Sequence, residues 1–130
     1  DINDLECKID YNGWKAYCRS KLLNILFTYS FKRKIQTKIN CNCLHPGFVN
    51  SNFGNNNKNY YRTLVNFLKN LLAISSENAA KSPFYLALSN ELKNVDSKYF
   101  FKLKEKKSSN ESYNKYLADQ VWEKSIEYIS

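Results

Sequence analysis

Tyr17 and Lys21 stand four residues apart, a spacing that on a helix places both on one face with Cβ atoms about 5–6 Å apart. A phenol with its ordinary pKa near ~10 is a poor proton carrier at neutral pH, and a neighbouring ammonium favours its phenolate. The pair is a candidate general acid/base unit. A second group, His45-Pro46-Gly47, follows an apolar strand pattern downstream. Pro46 and Gly47 end that strand in a turn, and His45 is the single histidine of the chain.

The elements that must carry these residues are legible from periodicity. From Trp14 to about Ile35, apolar residues recur at helical spacing through Cys18, Leu22, Ile25, Leu26 and Tyr29, without internal Gly or Pro. Asn12-Gly13 marks the turn before it, and Lys32, Arg33 and Lys34 complement the dipole of its last turn. Residues 38–44 alternate as a strand with Ile39, Cys41 and Cys43 on one face. The polar, Asn-rich stretch 48–59 reads as a loop, and 60–74 returns to helical spacing through Leu64, Val65, Leu68, Leu71 and Leu72.

Ser75 or Ser76 opens a helix over 77–89, where Pro83 either bends the helix or marks its true first turn. Residues 97–103 read as a second strand, the charged run Lys104 to Lys107 as a solvated loop, and Glu111 to Tyr128 as a closing helix. One crossover between two strands predicts a parallel pair with a right-handed connection. Two strands form a marginal sheet, and the first exposes an edge unless a further strand pairs with it.

At 130 residues, 43% hydrophobic and 15% aromatic, the chain can build one modest core but is short for a complete dinucleotide site, which needs two βαβαβ halves. The net charge of +8 raises nucleic acid or an anionic membrane as partners. Lysine (17) greatly outnumbers arginine (3), beside 18 asparagines, so compositional bias explains much of that charge and nucleic acid is disfavoured. Cys7, Cys18, Cys41 and Cys43 show no zinc spacing, so no metal site is expected and the thiols read as small core residues in a reducing compartment. No signal peptide and no apolar run of about 20 residues is present. The expected location is the cytoplasm or the cytoplasmic face of an internal membrane.

In this order, Asn12-Gly13-Trp14-Lys15-Ala16-Tyr17-Cys18-Arg19-Ser20-Lys21-Leu22, Leu44-His45-Pro46-Gly47-Phe48-Val49, Tyr85-Leu86-Ala87-Leu88-Ser89, Ser97-Lys98-Tyr99-Phe100 and Val121-Trp122-Glu123 resemble the retinol dehydrogenase-like branch of the short-chain dehydrogenases. The resemblance implies an α/β fold, the C-terminal portion of a doubly wound parallel-sheet Rossmann-type domain with about two strands and four helices. It implies an oxidoreductase that interconverts alcohol and carbonyl with NADP or NAD. Tyr17 becomes the acid/base and a cofactor contact, and Lys21 the residue that tunes it and holds the nicotinamide ribose. Pro46, Gly47, Val49 and Ser51 become cofactor contacts, Val49 through its backbone and Ser51 through its hydroxyl. His45 reads as a strand-end residue and helix 60–74 as a lid over a small lipophilic alcohol or carbonyl. Contact with a membrane surface and a homodimer through helix 14–35 are further expectations.

The family's glycine-rich loop and Asn-Asn-Ala-Gly strand motif have no counterpart among these residues, and its catalytic serine has none either, because Ser20 lies inside the helix motif. Residues 1–130 are therefore expected to be one partial domain, the catalytic half without its dinucleotide-binding half, inactive in isolation. The alternative is a truncated, non-catalytic relative acting as a protein interaction module. A nucleic-acid binder is the third reading, and it predicts steeply salt-dependent association.

Overall fold

A computed structural model describes residues 2–9, 11–36, 38–47, 49 and 74–130. Helix α1 spans Gly13–Ile35 and begins where Asn12 caps it, its side chain accepting from the Lys15 amide at 3.0 Å. It ends at Gln36, whose left-handed φ of 48° lets its amide reach the Lys32 carbonyl. The predicted helix and its cationic last turn are both observed.

Strand β1 is Cys43–His45, α2 is Ser76–Leu88, β2 is Tyr99–Phe101, β3 is Lys104–Lys106 and α3 is Lys115–Ile129. The sheet order is β1-β2-β3. β1 runs parallel to β2 with Cys43 opposite Tyr99 and His45 opposite Phe101, whereas β2 and β3 form an antiparallel hairpin. The described residues thus give a mixed α/β fold of three helices and three strands.

Several expectations are corrected. The strand predicted over 38–44 is the shorter, later β1, because Asn40 and Asn42 take over the work of a ladder. Asn40 donates to the Lys93 carbonyl at 2.6 Å, and Asn42 bridges by donating to the Val95 carbonyl and accepting from the Lys98 amide. Asp96 accepts from the Cys41 amide at 2.7 Å. The run Lys104 to Lys107 is not simply a loop, since its first three residues pair as β3, so the sheet has three strands rather than two. Its entry turn, Lys102-Leu103, has φ of 49° and 63°, the two left-handed positions of a tight hairpin. The closing helix starts at Lys115, capped by Asn114 accepting from the Leu117 amide, with a short 3-10 turn at Asn110–Tyr113 before it. Pro83 lies inside α2, which Ser75 caps. The predicted helix over 60–74 lies outside the described residues, apart from Ile74.

The core is the seam between α1 and α3, where Leu26, Ala118 and Val121 are buried against Ile2, Leu22, Leu23 and Leu117. Complete burial of a leucine such as Leu26 contributes about 1.5–3 kcal/mol. Phe27 stacks on Trp122 with ring centres 5.5 Å apart. Asp119 meets Arg33 at 2.8 Å and Lys34 at 3.1 Å, tying the end of α1 to α3. Helices flank β1 on both sides: α1 packs against it, while Asn42 and Leu44 share an open cavity with Pro83, Leu86 and Ala87 of α2. β1 is thereby fixed over the middle of α1, and the turn after it is held to the same framework.

Candidate active site

Tyr17 and Lys21 lie one helical turn apart near the start of α1, both exposed. The Lys21 Nζ sits 5.3 Å from the centre of the Tyr17 ring, within cation–π range. The ring stacks on Trp14, one turn earlier, at 5.8 Å between centres and 24° between planes. Trp14 is 73% exposed, so the phenol stands beside an open aromatic surface. Arg19, one helical turn from neither partner but on the same stretch, donates to the Asp4 carbonyl and fastens the N-terminal segment to α1.

Ser20 lies within α1, as its place in the helix motif predicts. Its hydroxyl donates to the Tyr17 carbonyl at 2.7 Å, the local back-bonding common for serine within helices.

The other predicted group gathers after β1. The Gly47 amide donates to His45 Nδ1 at 2.9 Å, which fixes Nδ1 as the acceptor and gives the ring a structural task. The same ring meets Phe101 edge-on at 5.5 Å. Gly47 has φ +93°, and a Cβ there would lie 3.3 Å from Ile74 Cδ1. Val49 forms a parallel bridge with Ile74. Pro46 and Gly47 therefore follow the carboxyl end of a parallel strand, the position where open α/β sheets take their ligands. Ser51 lies outside the described residues.

The two groups sit on elements that pack together, α1 and β1. Burial pushes the Cys41 and Cys43 thiols above the ordinary thiol value, which disfavours their thiolates. Sequence reasoning passed over Trp14 and Ile74 as site residues. An aromatic three positions before Tyr17 was the available signal for the first. Nothing in the sequence signalled that Ile74 would lie against Gly47.

No protein-family model matches the chain. Curated proteins do match, along nearly all of it. Retinol dehydrogenase 13 of Homo sapiens is 33% identical over 135 aligned residues, covering 99% of the chain and 41% of the relative. Polyprenol dehydrogenase of Homo sapiens is 32% identical, covering 98% of the chain and 39% of that protein. The chloroplastic short-chain dehydrogenase TIC 32 A of Brassica napus is 30% identical over 92% of the chain and 38% of its own length. The chain is similar to the short-chain dehydrogenases, its first matches being retinol dehydrogenases, and it spans about 40% of the length of these relatives.

Proposed function

We propose that this chain carries the proton-transfer segment of a short-chain dehydrogenase that interconverts a lipophilic alcohol and its carbonyl with NADP or NAD. The observation that carries the reading is the Tyr17–Lys21 pair, set on an exposed face of α1 inside a stretch alike to named dehydrogenases over 99% of its length. The names of those relatives, retinol and polyprenol dehydrogenase, support a long apolar alcohol as substrate. The open aromatic surface of Trp14 beside Tyr17 suits such a molecule.

The part of a nicotinamide site that these residues supply fits the cofactor. The Pro46-Gly47 segment follows the carboxyl end of β1, the end of a parallel strand where open α/β sheets take their ligands. Lys21 would hold the nicotinamide ribose, and the Val49 backbone would meet the carboxamide. The bound cofactor supplies or accepts the hydride.

The chain's own residues manage the proton. The Tyr17 phenol gives a proton to the carbonyl oxygen in reduction and takes it from the hydroxyl in oxidation. Lys21 places positive charge beside the ring that must bear the phenolate. His45 holds the turn rather than entering the chemistry. With three glycines, at 13, 47 and 54, the chain has no glycine-rich loop to cradle a pyrophosphate. Turnover therefore requires a dinucleotide-binding half beyond what these 130 residues supply, arranged as a doubly wound sheet with β1 inside it.

The test is Tyr17→Phe in a chain completed with such a half. Carbonyl reduction with NADPH is lost while nucleotide affinity stays within about threefold, as expected when the hydroxyl removed acts chiefly on the reacting proton. Retained turnover refutes the assignment.

A further inference from the structure

Five of the chain's lysines fall within ten residues, Lys98, Lys102, Lys104, Lys106 and Lys107, accompanied by a single acid, Glu105. That local density exceeds what the general lysine bias places elsewhere in the chain. The β2–β3 hairpin then sorts these charges by side. Tyr99 lies opposite Lys106, Phe100 opposite Glu105 and Phe101 opposite Lys104, and residues directly across an antiparallel pair share a face. Lys104 and Lys106 therefore project from the side of Tyr99 and Phe101. Glu105 goes to the other side, where Lys98 meets its carboxylate at 2.8 Å. Lys102 joins the first side, its Nζ 5.4 Å from the centre of the Phe101 ring.

The result is a hairpin face of lysines from which the one local acid has been removed and neutralised. Leu103 forms its tip, 41% exposed and at φ 63°. A leucine there bears backbone strain that glycine or asparagine would avoid.

We propose that this face docks on an anionic lipid surface. Lys102, Lys104 and Lys106 meet the acidic headgroups, and Leu103 enters the boundary between headgroups and acyl chains. Charge complementarity selects the surface, and the apolar tip selects lipid over nucleic acid, which would use the cations but leave Leu103 in water.

The register also sets an orientation. Phe101 at the end of β2 touches the His45 ring, and His45 holds the turn at Gly47. The hairpin tip thus emerges at the same end of the sheet as the Pro46-Gly47 turn. Docking itself stands without the dehydrogenase reading; only its consequence, a site held toward the membrane in which a lipophilic alcohol dissolves, rests on that reading.

The experiment is vesicle co-sedimentation of the chain with phosphatidylcholine alone and with about 30 mol% phosphatidylserine added. The chain is expected to partition onto the anionic vesicles. The triple variant Lys102→Gln, Lys104→Gln, Lys106→Gln is expected to bind about a hundredfold more weakly, and Leu103→Asp to bind more weakly as well. A control of equal charge change, Lys38→Gln, Lys81→Gln, Lys93→Gln, is expected to bind like the parent, with circular dichroism verifying that each variant folds. Absence of partitioning, equal loss in both triple variants, or tighter association with duplex DNA than with the vesicles overturns the proposal. No cofactor or turnover enters the measurement, so its failure leaves the reading of Tyr17 untouched.

Discussion

His45 and Gly47 are joined by a hydrogen bond in which the Gly47 amide donates to the ring Nδ1 at 2.9 Å. This contact closes the turn after β1 and holds Gly47 at φ +93°, with Ile74 packed where a side chain would begin. Gly47→Ala must place a Cβ 3.3 Å from Ile74 Cδ1 and adopt a backbone conformation unfavourable to L residues. The expected cost is about 1–3 kcal/mol. His45→Ala removes one acceptor, costing about 0.5–1.5 kcal/mol. Urea unfolding checks the order: a His45 variant less stable than the Gly47 variant contradicts this account of the turn.

The contact of Lys21 with the Tyr17 ring makes a second outcome specific. In a chain completed with its nucleotide-binding half, Lys21→Met is expected to lower kcat about 10²–10³-fold, the scale of a lost acid/base contribution. It should also weaken nucleotide binding, since the same ammonium is assigned to the ribose, whereas Tyr17→Phe should leave that affinity nearly unchanged. Single-turnover rates and nucleotide titrations separate the two. Identical affinity losses in both variants contradict the division of labour.

Tyr29 and Tyr113 give a prediction about alkali. The rings stack at 5.4 Å, and the Tyr29 hydroxyl and Ser108 Oγ lie 2.7 Å apart. Burial pushes the Tyr29 phenol up to about 12, whereas Ser108, through its side chain and then its amide, pulls Tyr113 below the ordinary phenol value. A group whose folded value is raised stabilises the fold fully below its unfolded value and loses that contribution as pH climbs through the folded one. Tyr29 therefore supports the fold up to about pH 10 and ceases to do so as pH passes through about 12. Tyr29→Phe keeps the stack, loses a hydrogen bond of about 1 kcal/mol at neutral pH, and flattens the alkaline decline. Thermal melts across that window, read beside tyrosinate absorbance, check it; equal declines in parent and variant contradict it.

How much of this was legible in the sequence depends on where apolar periodicity survived. α1 was legible because Leu22, Leu26 and Tyr29 recur at helical spacing with a capping Asn12 before them; the helix alone put Tyr17 and Lys21 on one face, while their reading as a catalytic pair needed the motifs downstream. The start of β1 was obscured because Asn40 and Asn42 alternate like strand residues yet bond through their amides to Lys93 and Val95. β3 was hidden by its lysines, since an edge strand exposed along its length carries no apolar alternation. The parallel pairing of β1 with β2 came correctly from connection rules, while the lysine-bearing face needed the register and could not be read without it.

The same hairpin supplies the last prediction. Lys102 and Leu103 occupy the two central positions of its turn with φ of 49° and 63°, a conformation that Asn-Gly adopts with less strain. Replacing them by Asn-Gly should stabilise the hairpin by about 0.5–1.5 kcal/mol, partly offset because glycine has more freedom to lose from the unfolded chain. The exchange also removes the apolar tip and the cation over Phe101. A more stable protein that binds anionic vesicles less well is the expected pairing of results. If stability falls instead, Lys102 and Leu103 stabilise the turn by contacts that outweigh their strain, and the exposed leucine has a structural reason that needs no membrane.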